Sequence, residues 1–133
     1  MYEVVLGVDT NEERAQAQAK TVATLPQDPE NLHATILHDF TDNPAGASVH
    51  QIGAVRHAKE ELEETGIDVT LTESSGDPAT EIINAADEID ADMICVAGRK
   101  RTPTGKVLFG SVTQAVILAT DRPVLVCSAA DSD

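Results

Sequence analysis

Arg99, Lys100, Arg101 and Lys106 gather four of the nine Lys and Arg residues into one short segment of a chain whose formal net charge is −14. Positive side chains concentrated in an otherwise acidic polypeptide call for an anion. Gly98 and Gly105 lie in the same segment, and Gly110-Ser111 follows it at the start of an apolar stretch that reads as helix. Glycine lets the backbone come close to a ligand, and a helix N-terminus offers unpaired N–H donors and about half a positive charge. Together these residues make a phosphate cradle. It is not the P-loop of the ATPases, which places four residues between its first glycine and Gly-Lys-Ser/Thr. Here the spacer between Gly98 and Gly105-Lys106 is longer, and Val107 stands where a magnesium-binding hydroxyl belongs. A plainer reading of the same residues has Gly98 ending a strand, Ser111 capping a helix and the bases pairing with nearby carboxylates.

Other chemistries find less support. His50 and His57 stand about two helical turns, roughly 10 Å, apart, too far to share one ion without further ligands, and His33 and His38 flank or end a strand. Ser111 has no Gly-x-Ser-x-Gly elbow around it and no histidine after it, so its capping role suffices and no nucleophilic catalysis is expected. A phosphoacceptor site would need an acidic pair after the first strand, whereas Thr10 follows Asp9. Cys95 and Cys127 sit in apolar runs without metal-type spacing and read as buried free thiols.

The elements that must position the cradle are marked by apolar runs at Val4 to Val8, Thr35 to Leu37, Ile67 to Leu71, Met93 to Ala97 and Val124 to Cys127. Continuous runs suit strands buried on both faces, and the alternation from Ile67 to Thr72 suits an edge strand. Between them lie helix-like segments opened by Thr10 with Glu13, Ser48 with Gln51, Asp77 before Pro78, and Ser111 with Gln114. Val49, Ile52, Val55 and Leu62 form one helical stripe; Ala79, Ile82, Ile83, Ala86 and Ile89 form another. Strict strand–helix alternation predicts an α/β fold: a five-stranded, parallel, doubly wound, Rossmann-like sheet in a three-layer α/β/α sandwich. Ligands in such folds bind beyond the carboxyl ends of the strands where the winding reverses. That rule selects Asp9, Asp39, the turn from Ser74 to Asp77 and the loop beginning at Gly98.

A length of 133 residues suits a single domain over 1–133. With no apolar stretch near the roughly 20 residues of a membrane span and no basic, apolar leader, the expected location is the cytoplasm. The acidic balance argues against nucleic acid or an anionic membrane as partner. Acidic clusters such as Glu60, Glu61, Glu63 and Glu64 read as a solvated helix face suited to a high-salt, halophilic cytoplasm.

Val4-Val5-Leu6-Gly7-Val8-Asp9, Leu37-His38, Gly76-Asp77-Pro78 before Glu81-Ile82, and Gly110-Ser111-Val112 through Arg122-Pro123-Val124-Leu125-Val126 resemble the universal stress protein family across nearly the whole chain. Members that bind ATP carry a glycine, two residues, a second glycine, nine residues, then glycine with serine or threonine; Gly98, Gly110 and Ser111 match that pattern. The resemblance implies an adenine nucleotide alpha hydrolase-like fold and a regulatory module that binds ATP, with Mg as companion ion, without being an enzyme. It implies that Asp9 faces the ribose or adenine, with Val8 beside it in the nucleotide site, that the backbone near Asp39 reads the adenine, and that Gly110, Ser111, Val112 and Thr113 hold the phosphates. Gly98, Lys100, Arg101, Gly105 and Lys106 complete the expected site. It further implies a homodimer through the apolar edge strand Val124 to Cys127. Arg101 stands where the family has its second glycine and the loop to Gly110 is one residue shorter, so the alternative is a nucleotide-free interaction module with a closed site. A ligase-like or electron-transfer enzyme on a related fold is disfavoured, because no Ser-Gly-Gly-type loop follows the first strand.

Overall fold

Each apolar run becomes a strand, and all the strand pairings are parallel. The computed structural model describes residues 1–41, 46–98 and 109–128. Within them run β1 (Tyr2–Gly7), α1 (Glu12–Ala23), β2 (Leu32–Asp39), α2 (Gly53–Glu64), β3 (Asp68–Ser74), α3 (Pro78–Ile89), β4 (Met93–Ala97), α4 (Ser111–Ala119) and β5 (Val124–Cys127). Single 3-10 turns at Pro29–Asn31 and Val49–Gln51 precede β2 and α2. The strand order is β3-β2-β1-β4-β5. The chain therefore winds outward from β1 to β3, then crosses back through α3 to β4 on the other side of β1. The winding reverses between β1 and β4.

The continuous apolar runs serve two cores. Val4 and Leu6 of β1 pack with Ala15, Ala19 and Val22 of α1 and with Val55, Ala58 and Leu62 of α2. Val5, between them, faces Ala79, Ile82 and Ala86 of α3 and Val116 of α4. Successive strand side chains point to opposite faces, so a central strand covered on both sides must be apolar at every position. The edge strand β3 alternates as expected: Asp68 and Thr70 are exposed while Val69 and Leu71 pack on the α1/α2 core.

Helix starts depart from the sequence reading in three places, one of them α4, whose N-cap is Gly110 rather than Ser111. The N-cap of α1 is Asn11, whose side chain accepts the Arg14 amide, rather than Thr10. Ser48 and Gln51 do form a reciprocal capping box, but on the 3-10 turn, and α2 begins only at Gly53. Val49 therefore lies before the helix stripe it was assigned to. Asp77 caps α3 with Pro78 in the first turn, and the Thr80 hydroxyl and amide hold its carboxyl below the ordinary range. Ile89 is part-exposed at the end of α3 rather than core. Arg122 secures that end, donating to the Ala91 carbonyl at 2.8 Å and to Asp87 at 2.6 Å. Cys95 and Cys127 are buried free thiols on adjacent strands with sulfurs 3.4 Å apart. The shared S–H and burial push the Cys95 thiol well above its usual range. No helix among the described residues is long and apolar enough to cross a membrane.

Candidate functional site

The last paired residues of β1 and β4 are Leu6 and Cys95. Beyond them the strands part, and Gln18 of α1 fills the gap, fully buried, with Nε2 donating to the Gly7 carbonyl at 2.9 Å and the Cys95 carbonyl at 3.3 Å. Its Oε1 has no protein partner among the described residues. Above this wedge opens a cavity of about 540 Å3, bordered by the ends of β1 and β2 and by the first turn of α4. Its size falls in the ordinary range for small-molecule sites.

Backbone donors line one wall. Gly110 is the N-cap of α4 with extended geometry, and no side chain caps the helix. The first amide of this helix with a backbone acceptor is Gln114, which donates to the Gly110 carbonyl at 3.0 Å. Among the described residues no acceptor is seen for the amides of Ser111, Val112 and Thr113, and all three residues border the cavity. The expected capping role of Ser111 is corrected here: it is the first residue inside the helix. The Thr113 hydroxyl donates to the Ala97 carbonyl at 2.8 Å, which fastens the start of α4 to the end of β4. Helix α4 thus presents its positive end to the crevice at a fixed place.

The other wall is polar and largely self-satisfied. Asp9 accepts the Asn11 amide on Oδ1 at 2.8 Å, while its Oδ2 takes Arg14 Nε at 3.1 Å and Nη2 at 2.9 Å. Val8 is buried and spends both backbone groups internally, its amide on the Leu37 carbonyl and its carbonyl on His38 Nδ1. It is wall rather than donor. His38, also buried, meets Phe40 edge to face at 4.7 Å between ring centres. Asp39 borders the cavity, but its carboxylate turns toward the β2–β3 junction. There it accepts the Ser74 hydroxyl at 2.6 Å and the Thr41 amide at 2.7 Å. Thr41 takes the left-handed conformation at φ 59°, and the Asp39 bond steadies that turn. The Asp39 charge is consumed in the loop instead of facing a ligand.

Of the residues expected from sequence, Val8, Asp9, Asp39, Gly110, Ser111, Val112 and Thr113 converge on the cavity. Gly98 does not border it; its amide donates to the Cys127 carbonyl at 2.7 Å and closes the β4–β5 ladder. Lys100, Arg101, Gly105 and Lys106, with Arg99, lie outside the described residues. Among the lining residues that sequence reasoning missed are Arg14, Phe40, Ile52, Pro78 and Ile82. Ile82 enters because Gly7 leaves it room: a Cβ on Gly7 would stand 2.5 Å from its Cδ1.

The profile of the universal stress protein family matches residues 1–128. The chain belongs to that family. A curated universal stress protein of Mycolicibacterium smegmatis is 35% identical over 74 residues, covering 55% of this chain and 57% of that protein. The chain spans about half the length of the curated relatives it matches. Among solved structures, a universal stress protein from Archaeoglobus fulgidus superposes with a TM-score of 0.76 at 26% identity, covering 96% of this chain and 98% of that one. Another from that organism, in complex with dAMP, gives 0.71 at 20% identity, with 96% and 98% covered, a likeness of fold. In this universal stress protein domain the crevice at the winding reversal is the place to which the first turn of α4 is brought.

Proposed function

We propose that the domain binds an adenine nucleotide, ATP accompanied by Mg, in the crevice between β1 and β4, and that it is a cytoplasmic regulatory binding module rather than an enzyme. The observation that carries this reading is the set of amides at Ser111, Val112 and Thr113, which lack a protein acceptor among the described residues and border a cavity of about 540 Å3. The first amides of a helix have no intrahelical acceptor, and a helix N-terminus at a cavity suits a phosphate. The dAMP complex of the fold relative supports the choice of ligand class. Asp39 is already engaged by Ser74 and Thr41, so Mg would ride on phosphate oxygens and water rather than on that carboxylate. The same engagement, with His38 Nδ1 committed to a carbonyl, supports a binding role over catalysis.

Arg101 at the place of the family's second glycine favours the alternative, a nucleotide-free interaction module. Purification without added nucleotide, denaturation and analysis of the supernatant separates the two. Adenine compounds near one per chain, or calorimetric binding of added ATP, support the nucleotide reading; neither, at millimolar ATP and high salt, leaves the alternative.

We also propose that β5 pairs with its own copy across a two-fold axis. Its residues Val124, Leu125 and Val126 are half-buried at the sheet edge, and Leu118 of α4 is 85% exposed. An uncovered apolar edge invites pairing. Light scattering in high salt is expected to give twice the chain mass of 14.1 kDa; a monomer at micromolar concentration overturns the dimer.

A further inference from the structure

We propose that Arg14 makes the site select phosphorylated ligands by guarding Asp9, a role that rests on the nucleotide reading above. Asp9 is half-exposed at the cavity mouth, and a carboxylate there can accept hydrogen bonds from ligand hydroxyls such as a ribose diol. In the ligand-free chain that capacity is taken. Arg14 covers Oδ2 with two of its nitrogens, and Asn11 holds Oδ1. A hydroxyl donor approaching Asp9 must therefore compete with a guanidinium.

Arg14 is placed to leave. It is the one Lys or Arg among the described residues that border the cavity. Its backbone is fixed in the first turn of α1 by the Asn11 cap, while its side chain remains 27% exposed. No partner for its Nη1 is seen among the described residues. An exposed ion pair opens at small cost, whereas a guanidinium on a phosphate makes short, charge-assisted, forked bonds. Ligands differ in what they return for that opening. A nucleoside separates Arg14 from Asp9 and gives the arginine nothing. A nucleotide gives it a phosphate in the same cavity that holds the α4 amides, and Asp9 becomes free for the hydroxyls. Phosphate and sugar recognition are thereby coupled through one exchange of partners, and the coupling is reciprocal.

Calorimetric titration of adenosine, AMP and ATP into the wild-type chain, Arg14→Gln, Asp9→Asn and the double variant, at one fixed ionic strength, tests the exchange. Arg14→Gln leaves the helix cap in place, because the cap uses the residue's backbone amide. Adenosine is expected to bind this variant about 2- to 5-fold more tightly and ATP about 10-fold more weakly, the scale of an exposed pair lost and a charge-assisted contact removed. The gain for adenosine is expected to vanish in the Asp9→Asn background. Arg14→Lys, which keeps the charge but not the fork, is expected to fall between. An unchanged ratio of ATP to adenosine affinity in Arg14→Gln, or adenosine weakened along with ATP, overturns the guarding role while leaving nucleotide binding intact. A wild-type chain that binds none of the three ligands removes the nucleotide reading and this role together.

Discussion

Gly110→Val is expected to abolish ATP binding while leaving the fold in place. Gly110 has φ −73° and ψ 169°, extended geometry that any residue adopts. Its value to the site is the missing side chain. As N-cap of α4 it stands beside the open amides of Ser111, Val112 and Thr113, where the methyls of valine would occupy the volume a phosphate needs. Losing two hydrogen bonds to a charged group, each about 1.5–3 kcal/mol, corresponds to roughly 100-fold or more in affinity. Valine is also a poor N-cap, so a stability loss of about 1 kcal/mol accompanies the change. Titration with ATP beside thermal unfolding checks both halves. A variant that keeps ATP affinity within about threefold would place the phosphates elsewhere. Gly110→Ala, with one methyl, is expected to weaken binding to an intermediate degree.

Gln18→Ala is expected to cost the most stability of any polar substitution around the crevice, about 3 kcal/mol. The side chain is fully buried where β1 and β4 separate, and its Nε2 serves the carbonyls of Gly7 and Cys95. Truncation removes the donor both carbonyls share, at about 1–3 kcal/mol for a buried group left unsatisfied, and opens a void in a close-packed region. The unpartnered Oε1 is a partial offset, since alanine removes a buried acceptor as well. Denaturant unfolding of the variant measures the balance, with a midpoint shift at unchanged slope as the expected form. A loss under about 1 kcal/mol would mean that water serves the two carbonyls as well as the glutamine does. Nucleotide affinity is expected to fall too, because Gln18 holds the carbonyl of Gly7, which borders the cavity.

The position of Gln18 shows what was readable and overlooked. Ala15, Gln18, Ala19 and Val22 fall on one stripe of α1 and are all buried. A polar residue on the apolar stripe of an amphipathic helix marks a buried acceptor pair or a functional contact, and the spacing alone carried that signal. Arg14 offered less. In sequence it is one more charge near acidic neighbours, and only the Asx turn from Asp9 to Asn11 and the first turn of α1 fold it back over the Asp9 carboxylate. Asp39 was legible in place but not in partners: it borders the cavity at a strand end, and only the fold shows that Ser74 and Thr41 take up its carboxylate.

Sequence by itself determined the alternation of strands and helices, the two-sided burial of β1, β2 and β4, the edge character of β3, and the glycine-serine start of α4. Those features follow from local period and composition, because a strand covered on both faces must be apolar throughout and a helix must begin where its cap allows. Tertiary structure alone decided which side chains face the crevice and which are spent within the chain. Gly98, predicted for the cradle, closes the β4–β5 ladder, and Thr113 ties α4 to β4. Hydrogen-bond partners more than a few residues away are fixed by strand order, so the same aspartate is open to a ligand or consumed by the fold according to what packing places beside it.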